Sequence, residues 1–329
     1  MHCHYIGENG PTILHSITSD QTEPELDQLY RMLCRAVSLD GAKSSPRGME
    51  SKEIIDASFY LSNPRNRVIS SVFREVKPRY LAGEFIWYLT GSLKVSDIIR
   101  YSKFWSRLAD EEGKINSNYG NKILWDSGRI LLSQYSQIMQ VANLLWEDPD
   151  SRRAIINIHM GTPKNLRDVP CTLTMQFFIR DRKLHLSVNM RSNDLVLGFS
   201  NDVFQFTMFQ EILLRILQTK REFEDLKLGG YHHHAGSLHV YENHYEKMLS
   251  EIKEEYTPNL DLLRISEMPP LPRFSSVLQL TEWMFYLISA ERGAHRQENH
   301  FKSPNDKFLT PDQIAYADVL VSWTTGRGE

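Results

Sequence analysis

The sequence predicts an α+β fold in which a mostly antiparallel sheet packs against helices. Several stretches repeat apolar residues at helical spacing. Two consecutive segments in the middle of the chain, Thr172 to Ile179 and Lys183 to Arg191, switch to a period of two. The short Arg180-Asp181-Arg182 link between them reads as a hairpin connection. Helices interspersed with consecutive strands are the mark of this fold class.

The first helix is expected over Pro24 to Val37, with Leu26, Leu29, Tyr30, Leu33 and Ala36 on one face behind a Thr-Glu-Pro start. Gly41 to Glu53 is polar, carries a Pro46-Arg47-Gly48 turn signal, and reads as a surface loop. Arg79 to Leu89 is apolar all round and predicts a buried helix holding a single acid, Glu84. Arg129 to Trp146 predicts a third helix. Ala154 to Ile158 is a β-branched run. Leu173, Met175 and Phe177 share one face of the next strand, and Leu184, Leu186, Val188 and Met190 share one face of its partner. Val203 to Leu217 returns to helical spacing, and Val240 to Ile252 is expected to be helical too. Lys302 to Asp312 reads as a second surface loop.

The chain has 329 residues, enough for one large domain or two small ones, and no repeat, low-complexity tract or Gly/Ser linker divides it. Its formal net charge of −3 and lack of a basic stripe argue against a nucleic-acid partner. Charged residues at 24% and aromatics at 11% argue against disorder. No run approaches the length of a membrane span, and the opening MHCHYIGENGPTILHS lacks the character of a signal peptide. Cys3, Cys34 and Cys171 are too few for a disulfide framework, so a reducing, cytoplasmic setting is expected. His232-His233-His234 predicts no metal site, because neighbours in a strand point to opposite faces and no Cys or acid stands at ligand spacing.

Cys171 follows Val169-Pro170 at the start of a predicted strand. A lone cysteine is ordinarily a small core residue, and becomes a nucleophile only where positive charge favours its thiolate. Arg152, Arg153 and Arg191 lie in neighbouring blocks, and paired arginines suit bidentate phosphate binding. A glutamate followed directly by Phe85, Ile86, Trp87 and Tyr88 fits a helix surface poorly.

With these residues together, the sequence resembles the thymidylate synthase family over roughly residues 25 to 250. The resemblance is carried by ordered blocks: Glu84 to Gly91; Phe104-Trp105 through Gly113, then Asn118-Tyr119-Gly120; Asp148 to Arg153; Pro170-Cys171 with Gln176-Phe177; Arg191 to Asp194 with Leu197-Gly198; and His239 to His244. The spacing from Arg47 through Arg74, Glu84, Trp105 and Tyr119 also runs without gaps. The resemblance implies a single domain over 1–329, divergent over 251–329, that forms a homodimer through a sheet face. It implies that Cys171 adds to C6 of a pyrimidine nucleoside monophosphate and that Glu84 relays protons. It places the 5′-phosphate on Arg47, Arg191 and Ser192, completed by Arg152 and Arg153 of the partner subunit. Tyr119 would line the nucleotide site, and His239 and Tyr241 would hold the sugar. The one-carbon donor would be 5,10-methylenetetrahydrofolate, with Arg74, Trp105 and Asp194 on its side and no metal involved.

The chain departs from the synthases at one telling place. They carry an Asn that reads the uracil edge; here the ungapped register Phe199-Ser200-Asn201-Asp202 puts Asp202 there, as in the family's cytidylate hydroxymethylases. An amide can donate to O4 of uracil while accepting from N3–H. Cytosine reverses that pattern, and a carboxyl accepting from its amino group, with a proton shared toward N3, completes the pair. From residue type alone Asp202 could instead cap the helix beginning at Val203, and a slip of one would put Asn201 in its place. Thr172 stands where synthases have His, Leu108 replaces a second cofactor-side Trp, Gly230 and Ser237 replace Asp, and the closing C-terminal segment is absent. A reshaped wall of this kind would admit water to the intermediate and yield a hydroxymethyl rather than a methyl group. The expected activity is therefore a CMP or dCMP 5-hydroxymethyltransferase. The alternatives are a dUMP-modifying enzyme and a non-catalytic nucleotide-binding homologue, the last disfavoured by the presence of both Cys171 and Glu84.

Overall fold

The computed structural model describes residues 2–8, 10–15, 23–126, 130–161, 167–296 and 306–326. In chain order they form β1 (His2–Gly7), β2 (Gly10–His15), α1 (Glu25–Asp40), β3 (Ala42–Ser44), β4 (Ser51–Leu61) and α2 (Pro78–Thr90). Next come α3 (Tyr119–Ile123), the two-stranded β5 (Trp125–Asp126) and β6 (Ile130–Leu131), α4 (Gln137–Glu147), β7 (Ile155–Asn157), β8 (Thr172–Arg180), β9 (Lys183–Met190) and β10 (Asn193–Asp194). The chain then builds α5 (Phe199–Leu217), β11 (Lys227–Tyr241), α6 (Tyr245–Lys253), α7 (Leu260–Ile265), α8 (Val277–His295) and α9 (Pro311–Thr324).

The main sheet runs β2-β1-β4-β11-β9-β8-β7, with β3 beside β4 and β10 beside β11. Its pairs are antiparallel except β11 with β9 and β10 with β11. The expected hairpin is present: Arg180 pairs with Lys183, and Asp181 and Arg182 both take positive φ, the geometry of a two-residue turn between twisted strands. Met175 and Phe177 of β8 and Leu184, Leu186 and Val188 of β9 are fully buried, as their alternation requires. Helices α1 and α5 pack on the sheet, and α2 packs against α5.

Four segments differ from expectation. Gly41 to Glu53 is not a loop throughout: β3 and the first residues of β4 lie in it. The third helix starts only at Gln137, after β6; Arg129 itself lies outside the described residues. Val240 to Ile252 is split, because β11 continues to Tyr241 and α6 begins at Tyr245. The Lys302 to Asp312 segment lies partly outside the described residues; its described end holds a 3₁₀ turn over Asp306–Phe308 and the start of α9. No helix among the described residues is long and apolar enough to cross a membrane.

Two features of the fold position the site. Helix α2 is buried on nearly every side, packed against α3, α5, α8 and α9. The Asn118-Tyr119-Gly120 block lies tight against it: Asn118 Nδ2 donates to the carbonyls of Trp87 and Ser92, each at 2.9 Å. A Cβ on Gly120 would fall 1.9 Å from the Tyr88 carbonyl oxygen, so only glycine permits this approach.

Candidate active site

The middle of α2, the first turn of α5, the start of β8 and the strand β10 converge on one region. Glu84 is 5% exposed. Its carboxyl accepts from Tyr80 Oη at 2.8 Å and from Gln205 Nε2 at 3.2 Å. Trp105 Nε1–H donates in turn to Tyr80 Oη at 3.1 Å, forming a chain of polarised hydrogen bonds into the site. These partners are neutral, so burial prevails and pushes the Glu84 acid up to about 7. A carboxyl poised there can both give and take a proton near neutrality.

Asp202 lies in the first turn of α5, which begins at Phe199 rather than at Val203. It is therefore no N-cap. Its Oδ2 accepts from Asn193 Nδ2 at 2.7 Å. Burial, and then the neighbouring Glu84 charge, push its acid well above the ordinary carboxylate range; the Asn193 bond opposes the rise, and Asp194 adds to it. Asn201, the residue one step earlier, turns its amide to the Leu197 carbonyl at 2.9 Å.

Cys171 is half-buried at the end of the Val169-Pro170 segment. Arg191 spans that segment: its Nε and Nη2 donate to the carbonyls of Pro170 and Val169 at 3.1 and 2.8 Å, and Nη2 reaches the Cys171 Sγ at 3.6 Å. Burial pushes the thiol up; Arg191 and, less strongly, Arg47 oppose the rise, while Asp202 and Asp168 add to it. Arg47 is exposed in a 3₁₀ turn at φ 55, a left-handed conformation rare for a non-glycine residue and common at ligand-clamping positions. Tyr119 is buried beside Cys171 and Thr172, with its ring stacked on Tyr88 at 5.6 Å and on Phe206 at 6.2 Å.

The other expected residues surround this centre unevenly. His239 pairs with Asp194 across β11 and β10, and its Nδ1 is buried without a partner among the described residues. Tyr241 packs edge-on against the His239 ring at 5.1 Å, and Ser192 is half-buried beside Asn193. Asp194 Oδ1 accepts from the amides of Val196 and Leu197, both at 2.8 Å, while Oδ2 is buried without a partner among the described residues. Trp105 is 7% exposed against Trp87. Arg74 is buried, and its Nη2 donates to Ser200 Oγ at 2.6 Å, which ties it to the first turn of α5. Arg152 and Arg153 are exposed just before the edge strand β7, and no carboxylate among the described residues pairs with either. Of the three histidines in β11, His233 is buried while His232 is exposed and His234 half-buried, as alternating faces demand. No group of three or more His, Cys, Asp or Glu among the described residues could hold a metal ion.

The family model described as Thymidylate synthase matches residues 28–276. The chain belongs to the thymidylate synthase family. A deoxyuridylate hydroxymethyltransferase of Bacillus phage SP01 is 29% identical over 272 residues, 80% of this chain and 68% of that protein. A deoxycytidylate 5-hydroxymethyltransferase of Enterobacteria phage T4 is 35% identical over 205 residues, 60% of this chain and 78% of that protein. The solved thermostable thymidylate synthase A of Bacillus subtilis shares the fold, with a TM-score of 0.56 at 22% identity over 71% of this chain and 86% of that one. The chain is thus an enzyme of the thymidylate synthase class, a folate-dependent one-carbon transferase.

The site contains residues that sequence reasoning did not single out. Tyr80 stands four residues before Glu84, a spacing that places both on one helix face and was available as a signal. Gln205 comes from α5 and could be found only from the tertiary fold. Asp168 is 3% exposed and accepts from the amides of Asn116 and Ser117 and from Ser117 Oγ, binding the loop before Tyr119 to the segment before Cys171. As for the folate that the thymidylate synthase family uses, the unpartnered Asp194 Oδ2 and the Trp105 ring are a polar group and an aromatic wall suited to a pterin.

Proposed function

We propose that the protein is a cytidylate 5-hydroxymethyltransferase acting on CMP or dCMP. The observation that carries this reading is the Asp202 carboxyl, held by Asn193 in the first turn of α5 and within electrostatic reach of Glu84. The resemblance to the T4 deoxycytidylate enzyme supports it.

Cys171 Sγ adds to C6 of the base, leaving C5 electron-rich. Arg191 and Arg47 favour the thiolate and hold the 5′-phosphate with Ser192. His239 and Tyr241 hold the sugar, and Tyr119 closes the wall beside the sulfur. Methylenetetrahydrofolate supplies the one-carbon unit when bound, with Trp105 and Asp194 on its side and Arg74 bracing the helix behind it. Glu84, titrating near 7, delivers and removes the protons these steps require. After C5 bonds to the one-carbon unit, the C5 proton is removed and the bond from the methylene carbon to the folate nitrogen breaks, so tetrahydrofolate departs. Water then adds to the methylene carbon as Cys171 leaves C6, and a hydroxymethyl group forms without a hydride. Thr172 and Leu108, in place of larger residues of the synthases, leave room for that water.

Arg152 and Arg153 complete the phosphate site of a partner subunit in a homodimer built on the sheet face; their exposure, with no carboxylate partner among the described residues, fits that role. Residues 1–329 form a single domain, since α8 and α9, beyond the matched family region, pack directly on α2. Incubation with CMP, dCMP, UMP or dUMP plus methylenetetrahydrofolate, with products identified by mass, tests the function. A hydroxymethylated cytidylate is expected, and exclusive modification of a uridylate refutes the substrate. That outcome is the second reading, favoured by one observation: the relative aligned over 80% of this chain is a deoxyuridylate hydroxymethyltransferase.

A further inference from the structure

We propose that Asn193 is a specificity-determining positioning residue, which fixes the hydrogen-bond polarity that the Asp202 carboxyl presents to the pyrimidine edge. The proposal rests on the reading of Asp202 as the group that meets that edge.

A protonated carboxyl is ambidextrous. Its hydroxyl can donate to N3 of cytosine while its carbonyl accepts from the N4 amino group, or it can turn over and serve uracil, donating to O4 and accepting from N3–H. A protonated aspartate alone therefore does not choose a base. Asn193 is 2% exposed and gives Nδ2 to Asp202 Oδ2 at 2.7 Å. An amide N–H can only donate, and the carbonyl oxygen of a carboxyl is its better acceptor, so the bond favours Oδ2 as the carbonyl and the proton on Oδ1. With Oδ2 toward position 4 and Oδ1 toward N3, cytosine is matched at both atoms. Uracil then meets donor with donor at N3 and acceptor with acceptor at O4.

A second observation points the same way. Asn193 Oδ1 is buried without a partner among the described residues. A buried orphan acceptor is stabilised by a ligand that brings a donor. The N4 amino group has a second hydrogen to offer it; O4 of uracil has none. The titratable groups around Asp202 are Glu84, Tyr80 and Tyr88 from α2, Tyr119 from α3, Cys171 before β8, Asp194 from β10 and Tyr231 from β11. None of them is a cation, so Asn193 is the group that stabilises a particular proton arrangement on Asp202.

The test compares wild type with Asn193→Leu, which keeps the branching at Cγ and removes the amide, and Asn193→Ser, whose hydroxyl both donates and accepts. Affinities for dCMP and dUMP are measured by calorimetry, kcat/KM for both is measured where there is turnover, and folding is checked by thermal melting. Discrimination between the two nucleotides should fall at least about tenfold in both variants, with the phosphate contacts preserved. The limb of the pH profile belonging to Asp202 should move to higher pH in Asn193→Leu, because the lost donor stabilised the charged form. Unchanged discrimination in a folded variant overturns the proposal. Failure of the underlying reading looks different: Asp202→Asn would then leave the preference unmoved, whereas failure of this proposal alone leaves Asp202→Asn effective and Asn193→Leu silent.

Discussion

Glu84 and Glu211 are both buried glutamates on packed helices, and they have opposite surroundings. Glu211 is fully buried and lies among Arg65 at 3.0 Å, Arg67 at 2.6 Å and Arg215 at 3.9 Å, and it also accepts from the Leu271 amide. Those cations outweigh burial and hold its carboxyl below the usual range. Among the described residues Glu84 has only a phenol and an amide, and burial carries it up to about 7. The first acid is ionised and ties α5 to the segment around Leu271. The second is left near neutrality, a poor arrangement for stability and a useful one for moving protons. The contrast shows that the role of a buried acid is set by the charge of its partners rather than by burial itself.

The largest expected effect lies outside this pair and sharpens it. Cys171→Ser should lower turnover to below about one-thousandth of wild type while nucleotide binding survives, since the arginines remain; full activity by product assay would refute covalent catalysis. Next, Glu84→Gln should cost roughly 10²- to 10⁴-fold in kcat with the fold intact. Glu211→Gln should do the reverse, leaving the chemistry of folded enzyme near normal but costing about 3–5 kcal/mol in denaturant unfolding, because buried Arg67 loses its counter-charge. If Glu211→Gln proves catalytically dead yet stable, the comparison fails.

The pH dependence has a definite sign. The folded Glu84 carboxyl, at about 7 against an ordinary 4.5, binds its proton more tightly than the unfolded chain does. Its contribution to stability is therefore full below pH 4.5 and declines as pH rises to 7, by on the order of 3 kcal/mol. Glu84→Gln should remove that decline, so the mutant gains on wild type in melts run above pH 7. A smaller effect concerns assembly. Mixing Arg152→Ala chains with Cys171→Ser chains should restore activity through one intact site per hybrid dimer. No recovery despite proven subunit exchange would count against shared sites.

The catalytic helix and the β8–β9 hairpin were legible in the sequence because burial there follows a simple rule. Helix α2 is apolar all round, and β8 and β9 alternate. Strand β4 was not legible because Asp56 sits at φ 56 and breaks its period, so Ile54 is buried, Ile55 exposed and Ala57 buried. Strand β11 was legible only at His232-His233-His234; its full extent was hidden by composition, since Lys227 to Tyr241 holds four histidines and three glycines, and it lies between β4 and β9. Cys171, Glu84 and Asp202 stand in blocks quoted for the resemblance or in register with them; Gln205 lies outside those blocks, and Asn193, though inside the Arg191 to Asp194 block, acts on Asp202 through a contact that only the fold shows.

The central claim is that Asp202 chooses the base, and kcat/KM for dCMP and dUMP in wild type and Asp202→Asn tests it most directly. Wild type should prefer the cytidylate. The amide, able to donate to O4, should lower cytosine use and raise uracil use, shifting the ratio by roughly 10- to 100-fold. A wild type that prefers uracil, or a mutant with the same preference as wild type, would contradict the account.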